Sequence, residues 1–320
     1  MALFISEADV QRLLPMPAAI ERVEASALAQ QRGQAVNRPR QRIFLPRASF
    51  HYMAAALPEE EWVGMKAYTV ASGGMQFVVL LFSAAMGNLL AVIEADHLGR
   101  LRTGAASGVA TKFLARPEAS QVGMIGTGRQ ARAQLEAVAC VRKLSVARVY
   151  SRDESRRRQF CREMQQRLGL SVEPAESAEA AVRSADIVIT ATNSRQPVLR
   201  GEWLEPGAHV NAIGSNLPDR REMDDAVLAR ASLLTVDSIE QAREEAGDLI
   251  QGLAPAGRAW DDLSELREVV AGARPGRRAA QEITLFKSCG IAVWDVAVAG
   301  HVYRQAAKLG GGQELKVGPP

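Results

Sequence analysis

The chain is poor in the residues that would tie it to a disulfide frame, a metal centre or a membrane. Its 320 residues include only three cysteines, Cys140, Cys161 and Cys289, odd in number and far apart. That usage fits reduced thiols in a cytoplasm and excludes a disulfide framework. The four histidines, His51, His97, His209 and His301, are isolated, and no cysteine has one at a metal-ligand spacing. No metal site is expected. No apolar run approaches the ~18 residues of a membrane span. Glu7 and Asp9 stand where a signal peptide would be apolar, so a cytoplasmic location is expected. Aromatics are only 5% of the chain, against 47% apolar residues overall, as in a soluble α/β enzyme with an Ala, Val and Leu core. Neither charge dominates: the formal net charge is +3, and the arginines are scattered among acids. This is no nucleic-acid footprint. Arg156-Arg157-Arg158 reads as the solvated face of a helix. No repeat of solenoid period occurs, and the only low-complexity tract is Gly310-Gly311-Gly312.

What is present centres on Gln121 to Ala131. The apolar run Val122 to Ile125 reads as a short buried strand. It ends in Gly126-Thr127-Gly128-Arg129-Gln130-Ala131, a G-x-G-x-x-A turn, and helical character follows from Arg129 to about Arg142. Strand, glycine turn and helix in that order are the dinucleotide-binding signature. Gly126 permits the tight turn, Gly128 lets a pyrophosphate approach the backbone, and Ala131 lets helix and strand pack closely. The free N–H groups at the helix start face the phosphates. Val146 to Tyr150 is the second strand of the unit. An acid just past it would bind the ribose 2′-OH of NAD, but this chain has Ser151-Arg152. A hydroxyl and a guanidinium suit a 2′-phosphate, so NADP(H) is expected over NAD(H). Asp153 reads as the cap of the next helix.

In chain order, Ser6 caps a first helix that Pro15 limits, and Pro17 starts a second running to about Arg32. Arg38 to Pro46, His51 to Ala55, Trp62 to Tyr68, Gln76 to Phe82 and Asn88 to Glu94 read as strands of a mostly antiparallel sheet. A small-residue helix begins at Arg100-Leu101-Arg102-Thr103. A cation so near a helix start suits a bound anion there. Lys66 lies in an apolar strand, where it either snorkels to solvent or is a buried ammonium that holds a carboxylate or moves a proton. Arg42 likewise reads as edge-strand charge or as carboxylate clamp. Farther on, Asp186 to Thr192 is a buried parallel strand whose polar end, Thr190, Thr192 and Asn193, lies at the carboxyl edge where such sheets bind ligands, with turn chemistry before Pro197 the alternative for Asn193. His209 to Ile213 is the next strand, running into Gly214-Ser215-Asn216. Leu233 to Asp237 is another, Trp260 to Val270 a helix, Glu282 to Phe286 a last strand, and Cys289 to about Lys308 a long amphipathic helix.

With these pieces in place the chain resembles the ornithine cyclodeaminase/mu-crystallin family over nearly its whole length. The resemblance rests on Arg42-Ile43-Phe44-Leu45-Pro46, Gly64-Met65-Lys66, Arg102-Thr103-Gly104-Ala105-Ala106-Ser107, Gly126-Thr127-Gly128, Asn211-Ala212-Ile213-Gly214, Gly247-Asp248 and Thr284 to Ser288. It implies an α/β fold in which a Rossmann-type doubly wound parallel sheet over residues 118–299 accompanies a smaller α+β substrate and dimerisation domain, residues 1–117 with 300–320. It implies a homodimer and a small amino- or imino-acid substrate bound by Arg42, Lys66, Gln76, Arg102 and Asn216. It also implies a nucleotide bound by Arg102, Thr103, Gly126, Thr127, Gly128, Arg129, Gln130, Ala131, Ser151, Arg152, Thr190, Ala191, Thr192, Gly214 and Ser215. Lys66 and Asn216 take the catalytic positions. Ornithine cyclodeaminases carry a catalytic carboxylate where this chain has Asn216, and an amide cannot serve as an acid–base catalyst. That departure and Ser151-Arg152 favour a ketimine reductase. Ornithine cyclodeaminase proper, an alanine-dehydrogenase-like activity and a non-catalytic small-ligand binder are the alternatives. Glu94, Asp219 and Asp248 are candidates for the missing carboxylate.

Overall fold

The computed structural model describes residues 2–317. The chain forms two compact units, residues 1–105 with 291–320, and residues 106–290. In order, the first stretch contains β1 (Ala2–Ile5), α1 (Glu7–Leu13), α2 (Met16–Gln31), β2 (Val36–Asn37), β3 (Gln41–Leu45), β4 (Ala48–Leu57), β5 (Trp62–Ala71), β6 (Gly74–Ser83), β7 (Leu89–Glu94) and α3 (Asp96–Leu114). Next come β8 (Gln121–Ile125), α4 (Ala131–Val141), β9 (Val146–Tyr150), α5 (Glu154–Leu168), β10 (Ser171–Pro174), α6 (Ala178–Val182), β11 (Ile187–Thr190) and β12 (His209–Ala212). The remainder is α7 (Asp225–Arg230), β13 (Leu233–Val236), α8 (Ile239–Glu245), α9 (Gly247–Gly252), β14 (Leu263–Glu265), α10 (Leu266–Val270), β15 (Thr284–Lys287), α11 (Ala292–Leu309) and β16 (Gln313–Leu315).

In the first unit a sheet of order β16-β1-β7-β6-β5-β4-β2, with β3 on β4, is antiparallel except where β1 lies parallel to β7. The long ladders β4–β5 and β5–β6 fix which side chains share a face. Met53, Lys66, Val79 and Ile93 are cross-strand neighbours on the face that is buried. α11 packs on β4, β5 and α2. Its Ile291-to-Ala299 start, with Trp294 fully buried, is apolar except for Asp295. Ser6 caps α1 in a capping box with Asp9. Gly310, at φ 65°, closes α11 in the left-handed region that only glycine adopts without cost.

The second unit is built on an all-parallel sheet of order β10-β9-β8-β11-β12-β15-β13-β14. Strand order reverses between β8 and β11, the switch point where such sheets bind ligands. β11 is buried on both faces: Ile187 and Ile189 join one apolar cluster with Met124, Leu135 and Val149, whereas Val188 joins another with Val210, Leu234 and Leu285. Among the described residues no helix is long and apolar enough to cross a membrane. Nor is there a group of three or more His, Cys, Asp or Glu side chains that could hold a metal ion.

Several local expectations are corrected. α3 starts at Asp96, not Arg100, so Arg102 lies beyond the first turn, where the dipole acts weakly. Asp96 supplies the acid the helix start prefers. The expected helix from Trp260 is interrupted: Trp260–Asp262 is a single 3-10 turn, Leu263-Ser264-Glu265 pairs with β13 as an edge strand, and α10 is the α-helical part. β15, the last strand of the parallel sheet in chain order, lies between β12 and β13. The compact units divide within α3 at 105/106 and at 290/291, and α11 belongs wholly to the first unit.

Candidate functional site

In the first unit the buried sheet face gathers charge. Lys66, from the middle of β5, is 3% exposed and donates to Asp295 Oδ1 over 3.0 Å. Arg102, from α3, is 6% exposed and its Nε donates to the same oxygen over 2.9 Å. Asp295 is fully buried on α11. Two cations thus share one carboxylate oxygen. Asp295 Oδ2 and Arg102 Nη1 are buried without a hydrogen-bond partner, leaving one acceptor and one guanidinium donor for something else. α3 approaches closely because Gly99 has no side chain: a Cβ there would lie 3.2 Å from Lys66 Nζ. The ammonium sits 5.9 Å and 5.6 Å from the ring centroids of Tyr68 and Phe77.

These surroundings set the protonation of Lys66. Burial pushes its pKa down, Arg102 and, more weakly, Arg40 push the same way, and Asp295 opposes them; it comes to about 7. Lys66 can therefore give or take a proton near neutrality. His51 stacks on Tyr68 at 4.5 Å, and Tyr68 stacks on Phe77 at 4.9 Å. Burial, then the Arg42 and Arg40 guanidinium groups, lowers His51 to about 4, so the imidazole is neutral at physiological pH. Arg42 faces His51 across the β3–β4 ladder. Arg40 is almost as buried as Lys66, with Nη2 3.9 Å from Met53 Sδ. Arg40, His51 and Asp295 were not predicted as site residues. A lone carboxylate in the apolar run Ile291 to Ala299 was the available signal for Asp295.

Gln76, expected to bind substrate, does not share the face of Lys66. It pairs with Thr69, one residue out of step with Phe77–Tyr68, so strand alternation turns it to the opposite face of the sheet from Lys66. Thr103 is buried, and its hydroxyl donates to the Gly99 carbonyl at 2.7 Å.

In the second unit the glycine turn has the geometry its spacing implied. Gly126 has φ +109°, and a Cβ there would lie 2.4 Å from the Ala191 carbonyl oxygen, so alanine is excluded by the fold itself. Gly128 is different: a Cβ would meet only that oxygen, at 3.8 Å, in otherwise open space. The fold leaves Gly128 room that a ligand can use. Gly128→Ala should therefore leave the thermal midpoint unchanged or slightly raised, while NAD(P)H affinity, read by calorimetry, falls about tenfold or more. An unchanged affinity would remove the pyrophosphate from this turn. Helices α5, α6, α7 and α8 are capped by Asp153, Ser177, Asp224 and Ser238, but no side chain caps α4. Its first N–H groups suit an anion. Arg129 and Gln130 lie in this turn, with Gln130 Oε1 buried and unpartnered. Ala131 is fully buried against the sheet cluster. Thr127 donates to Ser151 Oγ at 3.0 Å, tying the β8 and β9 ends together, and Arg152 is exposed beside them. These features fit a dinucleotide.

At the ends of β11 and β12, Thr192, Gly214 and Asn216 are half-buried, whereas Ala191 and Ser215 are buried. Thr190, expected to touch the nucleotide, is corrected: it is fully buried and donates to Glu222 at 2.9 Å, backing the loop from below. Two candidates for the missing carboxylate are already engaged. Asp248 is fully buried against Lys287, 3.0 Å away, and Glu94 accepts from the Glu7 N–H at 2.7 Å. Asp219 is exposed in the loop after β12.

The profile of the Ornithine cyclodeaminase/mu-crystallin family matches residues 2–309. A Delta(1)-pyrroline-2-carboxylate reductase from Bacillus cereus is 37% identical over 268 residues, 82% of this chain and 79% of the relative. The solved Delta(1)-pyrroline-2-carboxylate reductase of Thermococcus litoralis, in complex with NADH and L-proline, superposes with a TM-score of 0.94 at 35% identity, covering 98% of this chain and 100% of that one. An archaeal alanine dehydrogenase dimer with bound NAD gives a TM-score of 0.92 at 33% identity, over 98% of this chain and 99% of that one.

Proposed function

Because the chain belongs to the ornithine cyclodeaminase/mu-crystallin family, we propose that it is an NAD(P)-dependent oxidoreductase that reduces the C=N bond of a small 2-imino acid, with a cyclic ketimine such as pyrroline-2-carboxylate as substrate class. The observation that carries this reading is the buried Lys66–Asp295–Arg102 cluster, with an ammonium whose pKa is about 7. A nicotinamide supplies the hydride for the α-carbon. Arg102, through its unpartnered Nη1, and Arg42 bind the substrate carboxylate, each charge-assisted hydrogen bond contributing roughly 1.5–3 kcal/mol. Lys66 Nζ gives its proton to the substrate nitrogen, and in the reverse direction takes it back. His51, being neutral, adds no charge that would compete for the carboxylate.

Asn216 supports reduction over cyclodeamination, since its amide can orient a substrate but cannot relay a proton. The relatives named above bind NADH, NAD and L-proline. Our finer proposal is a preference for NADP(H), supported by the exposed Arg152 beside Ser151 at the end of β9. Arg152→Ala should raise the KM for NADPH about tenfold and hardly change that for NADH; an unchanged NADPH/NADH ratio removes the preference. We also propose a homodimer, supported by Phe44 and Leu45 of β3, 73% and 56% exposed. The activity is tested by following NADPH and NADH oxidation over a panel of cyclic ketimines and keto-acid/amine pairs, beside ornithine with NAD+. Reduction of ketimines supports the proposal. Turnover of ornithine alone would replace it with cyclodeamination.

A further inference from the structure

Glu222 was singled out by no motif, yet its carboxylate accepts four hydrogen bonds. Oε1 takes the Thr192 N–H at 2.6 Å and the Thr192 hydroxyl at 2.8 Å. Oε2 takes the Thr190 hydroxyl at 2.9 Å and the Gly214 N–H at 2.7 Å. One side chain therefore fastens the end of β11 to the end of β12. The two ends touch: a Cβ on Gly214 would lie 2.2 Å from the Thr192 carbonyl oxygen and 2.3 Å from Glu222 Oε1.

Glu222 is itself anchored. Its N–H and that of Met223 donate to Asp248 Oδ1 at 2.7 Å and 3.0 Å. Asp248 Oδ2 pairs with Lys287 Nζ at 3.0 Å, and Lys287 donates to the Ser215 carbonyl at 2.7 Å. The ring closes on the loop where it began: Glu222 holds Gly214 by its N–H, and Lys287 holds Ser215 by its C=O. Glu222, Asp248 and Lys287 are at most 1% exposed. Burial raises the Glu222 carboxyl above the usual range, with Lys287 opposing. Burial alone would lower Lys287, but Asp248 holds it above the usual lysine range. Buried charge on this scale is costly unless each group is paired, and here each is.

The ring sits on one side of the switch point. Gly126 to Gly128, Ser151 and Arg152 lie at the ends of β8 and β9, while Thr192 and Gly214 to Asn216 lie at the ends of β11 and β12. A dinucleotide whose adenosine ribose is at β9 extends its other half over β11 and β12. We infer that Glu222, anchored by Asp248 and Lys287, is a positioning residue that locks the Thr192 and Gly214–Asn216 loops together and thereby governs binding of the nicotinamide half of the nucleotide, but not of the adenosine half. This rests on the nucleotide reading given above.

Glu222→Gln tests it, because an amide NH2 must then face a backbone N–H of Thr192 or Gly214, donor against donor. Affinities for NADPH, NADH, ADP-ribose and 2′-phospho-ADP-ribose are measured by calorimetry on the full chain. The dinucleotide Kd should rise about tenfold or more, while the two fragments that lack nicotinamide stay within about twofold. Val210→Ala, a cavity in β12 away from the ring, should lower the thermal midpoint without changing any Kd. If Glu222→Gln does not fold, Thr192→Val removes one donor from the same carboxylate and should show the same selectivity. Equal weakening of dinucleotide and fragments, or no weakening, overturns the inference. Failure of the unsubstituted protein to bind any of the four ligands overturns the nucleotide reading instead.

Discussion

Replacing Lys66 with alanine should lower kcat for ketimine reduction by about 10²–10⁴-fold, the usual contribution of a general acid, and leave the Kd for NADPH within about twofold. Its ammonium is a buried proton donor tuned to about 7, and it is held in place by Asp295 and the rings of Tyr68 and Phe77. The fold should tolerate the loss, because Asp295 keeps Arg102 as partner at 2.9 Å and its charge is not stranded. The nucleotide turn belongs to the other unit and makes no use of Lys66. Steady-state oxidation of NADPH gives kcat, and calorimetry gives the Kd. Equal loss of both would assign Lys66 to structure instead of proton transfer.

Asp295→Asn should move the pH dependence of the reaction rather than merely reduce its rate. Lys66 is surrounded by Arg102 from α3, Arg40 from the segment before β3, Asp295 from α11, and the uncharged rings of Tyr68 and Phe77. Removing the one anion leaves burial and two cations, all of which favour the free amine. With Lys66 as the proposed proton donor reduction requires the ammonium, so its rate in the unsubstituted protein should fall as pH rises through about 7. Oxidation requires the amine and rises over the same range. In Asp295→Asn both midpoints should shift to lower pH by about one unit or more, each unit being about 1.4 kcal/mol. Reduction at neutral pH should drop and partly recover on acidification, and Asp295→Glu should restore the midpoint. A lower rate at every pH with an unmoved midpoint would make Asp295 a packing residue. A midpoint that survives in Lys66→Arg would show that another group titrates.

Much of the nucleotide-binding unit was legible because its constraints are local. Gly126 must be glycine for its positive φ, a demand met within one strand–turn–helix segment, whereas the Ala191 carbonyl that would lie 2.4 Å from a Cβ there comes from the distant end of β11 and was not legible locally. Ser6 and Asp153 were readable as caps because a cap bonds a backbone N–H three residues away. The errors came where a decision depended on distant chain. Which face of the sheet Gln76 takes was not readable from composition, because strand parity is fixed by pairing with β5. Arg102 was read as a helix-start cation, whereas α3 had begun at Asp96 and the anion beside Arg102 is Asp295. Thr190 looked like a ligand contact at a strand end, but Glu222 takes its hydroxyl in the interior.

The sequence by itself determined the strands of the parallel sheet and its glycine turn, because backbone geometry over a dozen neighbouring residues admits few alternatives. It also placed Lys66 and Arg102 on elements able to bury them. Tertiary structure alone decided what those cations do. Asp295 is 229 positions from Lys66 along the chain, and Glu222 meets Thr190 and Thr192 across 32 and 30. The charge state of a buried side chain is set by what packs within a few ångströms of it, and that neighbourhood exists only once the chain has folded.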